Sequence, residues 1–299
     1  MNIVDRSTIR SLVSLSSARE AVRAAFIAMS EGDVVAPDEL AMVLDHGGEL
    51  HVKGAYLGGS HLAFKAASGG FPQGGNAGFT AVLDAETGAL VALLDDGGWL
   101  TEIRTAAASA VSAGVLARPE ATSLAILGGG FQAAFQVAAL REAFTLSDVR
   151  SWSRSAATRE RFAAENETRA MDTVAEAVAD ADIVICCTAA REPVLSVSAL
   201  APGAHVVAMG ADMYGKRELA DDVLESADVV VADSIDVTSR VGELAYVSSA
   251  AKRAVELGDV LTGRSPGRTS ATQLTVSDHC GLGLQDAAMA ELVMKGLDQ

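Results

Sequence analysis

Arg104 carries a charge that its neighbours in the sequence cannot neutralise. It lies in the stretch "TEIRTAAASA", residues 101–110, where most of the side chains that follow it are alanine. Thr101 is a candidate helix N-cap, which places Arg104 in the first turn, and a positive charge there opposes the helix dipole. Two interpretations follow: an arginine solvated at the surface, or an arginine that binds an anion together with the helix end.

A glycine-rich segment offers a second place for an anion. The stretch "AILGGGFQAA" places Gly128, Gly129 and Gly130 after an apolar run and before a helical pattern. Backbone without a Cβ lets a pyrophosphate approach closely, and the N-terminus of the helix stabilises its charge. Ala133 stands where the third glycine of the usual fingerprint is found. The pattern predicts a dinucleotide-binding site with Gly128 and Gly130 among its contacts.

The residues after the next strand select the cofactor. An acidic residue there would bind the ribose 2′-hydroxyl of NAD(H), whereas a cation among hydroxyls would accept the 2′-phosphate of NADP(H). The sequence has Ser153, Arg154 and Ser155 at this place and no acid. It therefore favours NADP(H), with NAD(H) possible. The alternative is that Arg154 is simply an exposed arginine after a strand.

The pattern of apolar runs changes along the chain. Residues 7–31 predict one amphipathic helix ending at Gly32, and residues 34–96 show short runs separated by glycines, with the hairpin signal "DAETG". From residue 123 onward, continuous runs such as "SLAIL" and "DIVIC" alternate with helices, which indicates a parallel sheet covered on both faces. The predicted fold class is therefore α/β, with a dinucleotide-binding domain beside an α+β region.

Composition excludes several classes of protein. The 299 residues are 49% hydrophobic with a formal net charge of −16, so nucleic acid and anionic membrane are unfavourable partners. The three cysteines, Cys186, Cys187 and Cys280, offer neither a disulfide framework nor zinc spacing, and no metal site is expected. The N-terminus lacks the apolar core of a signal peptide, so a cytoplasmic protein is expected.

Six separated stretches together resemble the ornithine cyclodeaminase/mu-crystallin family. They run in the same order from about residue 10 to 296 and are "FKAASGGFP", "LTEIRTAAASAV", "AILGGGFQAA", "VVAMGADMYGKREL", "VGEL" and "LTGRSPGRTS…GLGLQDAAMAEL". The resemblance implies a Rossmann-like NAD(P)-binding domain, residues 115–282, inserted into an α+β substrate-binding and dimerisation domain, residues 1–114 plus 283–299. It also implies hydride transfer between a nicotinamide and the α-carbon of an amino or imino acid, in a homodimer.

The resemblance further implies roles for individual residues. Lys65 and Arg104 would clamp the carboxylate of the substrate, and Asp212 of "GAD" would be the acid/base that tends the nitrogen. Taken alone, Lys65 would be interpreted as a surface lysine. The remaining positions that match cofactor contacts are Gln132, Ala133, Thr188, Met209 and Lys216.

The sequence departs from the family pattern in three places. Asp38 and Glu39 follow Pro37 where family members commonly have an arginine of the clamp, although Lys53 of the next predicted strand is a candidate replacement. His279, in "VSDHCG", replaces a serine and is a candidate nicotinamide contact or proton donor, or else part of the pocket wall. The loop "FPQGGNAG" is shorter than usual, which alters the roof of the expected cleft.

These features leave three functions open. Arg154 favours exchangeable NADPH, and hence a reductase of a small cyclic imino acid or ketimine, or an amino-acid dehydrogenase. The first alternative is a cyclodeaminase that converts ornithine to proline with recycled NAD. The second alternative is a catalytically silent NADP(H)-binding protein, which Glu39 favours and the retained Lys65, Arg104 and Asp212 oppose.

Overall fold

The computed structural model describes residues 2–73 and 77–298. By its internal contacts the chain divides into unit 1, Met1–Ala107 with Leu282–Gln299, and unit 2, Ala108–Gly281. Unit 2 is therefore inserted into unit 1 along the chain.

Unit 1 contains a mixed six-stranded sheet in the order β1-β6-β5-β4-β3-β2, in which β1 pairs parallel to β6 and the other pairs are antiparallel. The hairpin signal at residues 84–88 does join two antiparallel strands, β5 and β6. The elements are β1 (Asn2–Asp5), α1 (Arg6–Leu12), α2 (Leu15–Glu31), β2 (Leu40–Val43), β3 (Glu49–Tyr56), β4 (His61–Gly69), β5 (Ala77–Asp84) and β6 (Leu90–Asp95).

The first helical region differs from the single helix expected over residues 7–31. It breaks at Val13, because the Ser14 side chain accepts a hydrogen bond from the backbone N–H of Ser17 and so caps a new helix. Gly32, with φ of 85°, ends α2 as the sequence indicates, since glycine adopts this left-handed conformation without a steric penalty.

The helix that carries Arg104 also begins earlier than expected. It is α3 (Trp99–Leu116), so Thr101 is its third residue and not its N-cap, and that prediction was wrong. The carboxylate of Asp96 accepts a hydrogen bond of 2.6 Å from the backbone N–H of Leu100 and satisfies the helix start instead. Arg104 therefore lies in the second turn, away from the free N–H groups of the first.

Unit 2 contains an eight-stranded, entirely parallel sheet in the order β13-β12-β14-β11-β10-β7-β8-β9. The strands are β7 (Ser123–Leu127), β8 (Asp148–Trp152), β9 (Arg169–Ala170), β10 (Ile183–Cys186), β11 (His205–Ala208), β12 (Val229–Ala232), β13 (Val255–Glu256) and β14 (Thr275–Asp278). The central strands are buried on both faces, which explains their unbroken apolar sequences.

Crossover segments connect these strands, as parallel pairing requires, and all of them except the segment between β10 and β11 contain α-helices. These helices are α4 (Phe131–Ala143), α5 (Ala156–Asn166), α6 (Val174–Val178), α7 (Asp221–Ser226), α8 (Ile235–Val241), α9 (Ser248–Ala251) and α10 (Leu257–Leu261). The chain runs from β7 outward to β8 and β9, and then returns to place β10 on the other side of β7. This reversal is the switch point at which Rossmann-like sheets open a crevice.

The last helix, α11 (Gly283–Leu297), returns to unit 1 and packs on α2, β3 and β4. Its first residue lies so close to β3 that a Cβ on Gly283 would be 2.4 Å from the carbonyl oxygen of Gly54. Among residues 2–73 and 77–298, no helix combines the length and the apolar character needed to cross a bilayer.

Candidate active site

Unit 1 brings Lys65 and Arg104 together around one carboxylate. The Lys65 Nζ lies 3.4 Å from Asp286 Oδ2, and the Arg104 Nε lies 3.0 Å from Asp286 Oδ1. Each of the two cations is only 5% exposed, so neither is a solvated surface residue. The sequence predicted either a solvated Arg104 or one that binds an anion, and within this chain the anion that Arg104 contacts is the buried carboxylate of Asp286.

Three elements that are distant in the sequence form this charged cluster, which we define as Lys65, Arg104 and Asp286. Lys65 projects from β4 toward the face on which α11 packs, and Arg104 comes from the second turn of α3. The preceding residue on α11, Gln285, accepts a hydrogen bond of 2.8 Å from Arg104 Nη1 and another from the backbone N–H of Leu282. The tight seating of α11 on β3 therefore fixes the position of both cations.

The charges in the cluster change one another's protonation. Burial lowers the pKa of Lys65 to about 8, and the negative charge of Asp286 limits that fall while Arg104 adds to it. Burial alone would raise the pKa of Asp286, but the charges of Arg104 and Lys65 outweigh burial and hold that pKa below its usual value. With Lys65 protonated, the cluster contains two positive charges and one negative charge.

Lys53 lies beside this cluster but is already paired. It stands opposite Lys65 in the β3–β4 register, and its Nζ is 3.2 Å from Glu39 Oε2. His51 Nδ1 lies 2.5 Å from the other oxygen of the same carboxylate. Residues 74–76, within the shortened loop "FPQGGNAG", lie outside the described residues.

In unit 2, the glycine loop follows β7 at the switch point of the sheet. Gly128 has φ of 141°, and a Cβ there would lie 2.7 Å from the carbonyl oxygen of Cys187, which follows β10. Gly130 is the N-cap of α4, a helix that carries Gln132 and the fully buried Ala133 in its first turn. The bare backbone and helix start fit the pyrophosphate of a dinucleotide.

The residues expected to select the cofactor follow β8. Arg154 is exposed, and the Ser155 side chain accepts a hydrogen bond from the backbone N–H of Thr158, which caps α5. The carbonyl oxygen of Ser153 accepts a hydrogen bond of 3.3 Å from Arg159 Nη1. This arrangement leaves Arg154 accessible to a ligand, and the preference for NADP(H) stays a prediction.

Asp212 and Lys216 follow β11 and pair with each other. The Lys216 Nζ donates to Asp212 Oδ1 over 2.6 Å, in a segment where the Asp212 side chain is about half exposed. Met209 lies immediately after β11, and its backbone N–H donates to the carbonyl oxygen of Cys186. The carboxyl ends of β10 and β11 thus carry Thr188, Met209 and Asp212 on adjacent loops.

Glu218, which the sequence analysis missed, ties these two loops together. It is fully buried and accepts hydrogen bonds from the backbone N–H groups of Thr188 (2.5 Å) and Gly210 (2.7 Å). Burial raises the pKa of Glu218 to about 7, against the lowering effect of those hydrogen bonds. Asp286 was missed as well, although an acid inside the otherwise apolar stretch "LGLQDAAMA" was a signal.

His279 lies directly after β14 and is 1% exposed. Within the described part of the chain, neither ring nitrogen of His279 has a hydrogen-bond partner. Burial lowers the pKa of His279, with the charge of Asp233 opposing the shift, so the ring is neutral at pH 7. A neutral, buried imidazole without a partner fits a polar ligand group such as a carboxamide.

No group of three or more histidine, cysteine, aspartate or glutamate side chains in residues 2–73 and 77–298 could hold a metal ion. The side chains described above offer charge and hydrogen bonding to a ligand. Unit 1 supplies cations for a carboxylate, and unit 2 supplies a glycine-lined helix start with a carboxylate on a neighbouring loop.

Comparison with known proteins agrees with this chemistry. The model of the ornithine cyclodeaminase/mu-crystallin family matches residues 2–298. A Sinorhizobium fredii protein named as an uncharacterized cyclodeaminase is 36% identical over 100% of this chain and 96% of its own length.

Two solved structures are also similar over nearly the whole chain. An archaeal alanine dehydrogenase dimer with bound NAD has a TM-score of 0.92 and 27% identity, covering 99% of this chain and 95% of its own. The Thermococcus litoralis Δ1-pyrroline-2-carboxylate reductase with NADH and L-proline has a TM-score of 0.91 and 25% identity, covering 99% and 97%.

Proposed function

Because the chain belongs to the ornithine cyclodeaminase/mu-crystallin family, we propose that it is an NAD(P)-dependent oxidoreductase that reduces a small cyclic imino acid or ketimine, or acts as an amino-acid dehydrogenase. The observation that carries this proposal is the charged cluster of unit 1. Its two buried cations and one carboxylate leave one positive charge, which a substrate carboxylate would neutralise.

In this proposal Lys65 and Arg104 bind and orient the carboxylate, so that less entropy is lost in reaching the reactive geometry. The nicotinamide dinucleotide, when bound, supplies the hydride that the α-carbon accepts. Asp212 stabilises the positive charge of the protonated imine, which makes the C=N carbon a better hydride acceptor. The glycine loop, Thr188, Met209, Lys216 and the unpartnered His279 are the residues that would hold the cofactor.

The alternative that a specific observation favours is a cyclodeaminase, because one relative bears that name. Cyclodeamination releases ammonia without net change of the cofactor, whereas reduction consumes NADPH. Measuring ammonia release and NADPH consumption therefore distinguishes the two functions.

The test is a spectrophotometric assay of NADPH and NADH with Δ1-pyrroline-2-carboxylate, Δ1-piperideine-2-carboxylate and pairs of 2-oxo acids with ammonia. A fall in NADPH absorbance with one of these compounds would support the proposal. Ammonia release from ornithine without net loss of cofactor would replace it with cyclodeamination. Tight NADPH binding without either activity would indicate a catalytically silent protein.

We expect Arg154→Ala to raise the Michaelis constant for NADPH about five- to tenfold and to leave that for NADH unchanged, since only NADPH carries the 2′-phosphate. Arg161→Ala is the matched control, because Arg161 is an exposed arginine on the adjoining helix that pairs with Glu165. Initial rates with both cofactors provide the measurement. Equal use of NADH and NADPH by the unmodified protein would contradict the predicted preference.

We also propose a homodimer formed through the sheet of unit 1. Phe64 and Phe79 lie on its face opposite Lys65, by the β4–β5 register, and are 36% and 38% exposed. Ile3 shares that face through the pairing of β1 with β6, and β2 exposes Leu40, Met42 and Val43 along the edge. An uncovered apolar face beside an open edge is typical of an interface.

Phe64→Arg should convert the dimer to a monomer, because it would bury an unpaired charge in the interface. The mass in solution, from light scattering coupled to size exclusion, measures this. Leu297→Arg, at an exposed apolar position on α11, should leave the mass unchanged. A dimer that survives Phe64→Arg would exclude this face as the interface.

A further inference from the structure

An ion pair between Lys53 and Glu39 lies next to the cluster of Lys65, Arg104 and Asp286. Lys53 stands directly opposite Lys65 on neighbouring strands, so the two side chains project from the same face of the sheet. The carboxylate of Glu39 lies 3.2 Å from Lys53 Nζ and 2.5 Å from His51 Nδ1. Glu39 thus places a negative charge beside Lys65 and Arg104, the cations proposed above to bind the substrate carboxylate.

Glu39 remains charged in this position. Burial tends to raise the pKa of Glu39, but its hydrogen bond with His51 and the charge of Lys53 prevail and lower that pKa. Glu39 and Lys53 neutralise each other, which leaves the single excess charge on the cluster of Lys65, Arg104 and Asp286. Lys53 is thus matched by Glu39, and the excess positive charge within the cluster of Lys65, Arg104 and Asp286 matches one incoming carboxylate.

We propose that Glu39 is a specificity-determining residue that restricts the site to substrates with one carboxylate. This inference rests on the proposed function, because it takes Lys65 and Arg104 as the groups that bind the substrate. A second carboxylate on the substrate would find Lys53 already paired and would meet the like charge of Glu39. Such a contact is unfavourable for binding and for catalysis alike.

The test uses two pairs of compounds that differ by one carboxylate. The substrates are Δ1-piperideine-2-carboxylate and Δ1-piperideine-2,6-dicarboxylate, compared by kcat/KM with NADPH. The unreactive analogues are pyridine-2-carboxylate and pyridine-2,6-dicarboxylate, whose dissociation constants are measured by calorimetry in the presence of NADP+. We expect the unmodified protein to prefer the monocarboxylate in both pairs, by at least about tenfold.

The decisive variant is Glu39→Gln, which removes the charge and retains the shape. It should reduce the preference for the monocarboxylate about tenfold in both pairs, because Lys53 then lacks its carboxylate. Glu49→Gln is the matched control, because it makes the same substitution on the same sheet. Glu49 Oε2 also lies near His51, at 3.4 Å from its Nε2. Glu49→Gln should leave the preference unchanged.

The two proposals fail in different ways. Absence of turnover for every imino acid, with the analogues still discriminated and Glu39→Gln reducing that discrimination, would refute the proposed reaction and retain the role of Glu39. A preference unaltered by Glu39→Gln, equal binding of both analogues, or binding of neither would overturn the role of Glu39.

Discussion

Asp212→Asn is expected to lower kcat by about 10²- to 10⁴-fold with the imino acid that proves to be the substrate. The amide retains the shape of the carboxylate but has no charge to stabilise a protonated imine and cannot exchange a proton with the nitrogen. The dissociation constant for NADPH should change little, because the glycine loop and the start of α4 are untouched and the amide oxygen of asparagine can still accept the hydrogen bond from Lys216. Stopped-flow kinetics and fluorescence titration of NADPH measure the two quantities separately.

Asp236→Asn is the matched control for this variant. Both aspartates form an ion pair with a basic residue four positions later, Lys216 for Asp212 and Arg240 for Asp236, and both are substantially exposed. The control should leave kcat unchanged, which shows that loss of a surface ion pair on unit 2 has no kinetic effect by itself. Turnover undiminished in Asp212→Asn would remove this carboxylate from the mechanism.

The sequence predicts β7, β8, β10, β11 and β12 of unit 2, because their burial is local information. It does not predict β14, which lies between β11 and β12 but has the polar residues Thr275, Ser277 and Asp278 in a four-residue strand. Runs such as Val206–Val207 and Val230–Val231 are apolar without alternation, which only a strand covered on both faces requires. The two-residue strands β9 and β13 were not predicted, since so short a segment has no periodicity to detect. The break at Val13 was missed for a similar reason, because one capping serine interrupts an otherwise continuous helical pattern.

The site is harder to predict from the sequence because its contacts join distant residues. The family resemblance singled out Lys65 and Arg104, but their shared partner Asp286 lies on α11, near the other end of the chain. No local pattern relates those positions. The same holds for Glu218, whose acceptor atoms bind backbone N–H groups in two separate loops. The roles of the site residues and the functional division of the chain into two domains stay predictions.

Asp286→Asn should lower the thermal midpoint by about 5–10 °C near pH 7, the second large effect expected for this protein. The substitution leaves Lys65 and Arg104 buried side by side without the carboxylate that contacts both, and breaking such a buried pair costs about 3–5 kcal/mol. Differential scanning calorimetry measures the change. A midpoint equal to that of the unmodified protein would mean that Asp286 contributes no net stability.

The dependence of this loss on pH identifies its origin. The pKa of Lys65 is about 8 with Asp286 present, and removing that negative charge lowers it further. In the unfolded chain Lys65 keeps its usual, higher pKa. The destabilisation caused by burying its charge is therefore fully present below the pKa of Lys65 in the folded protein, and it decreases as the pH rises above that value. As the pH rises, Lys65 loses its proton at a lower pH in Asp286→Asn than in the unmodified protein. The gap between the two midpoints should therefore be widest near pH 6 and narrower above about pH 8.

The double variant Asp286→Asn with Lys65→Met distinguishes this electrostatic cause from a loss of packing. Methionine has a similar length and no charge, so Arg104 no longer faces a second cation, and part of the lost stability should return. The pH dependence of the gap should weaken when Lys65 is replaced, because the lysine whose pKa Asp286 supports is then absent. A double variant as unstable as Asp286→Asn, with the same pH dependence, would show that repulsion between the cations is not what Asp286 prevents.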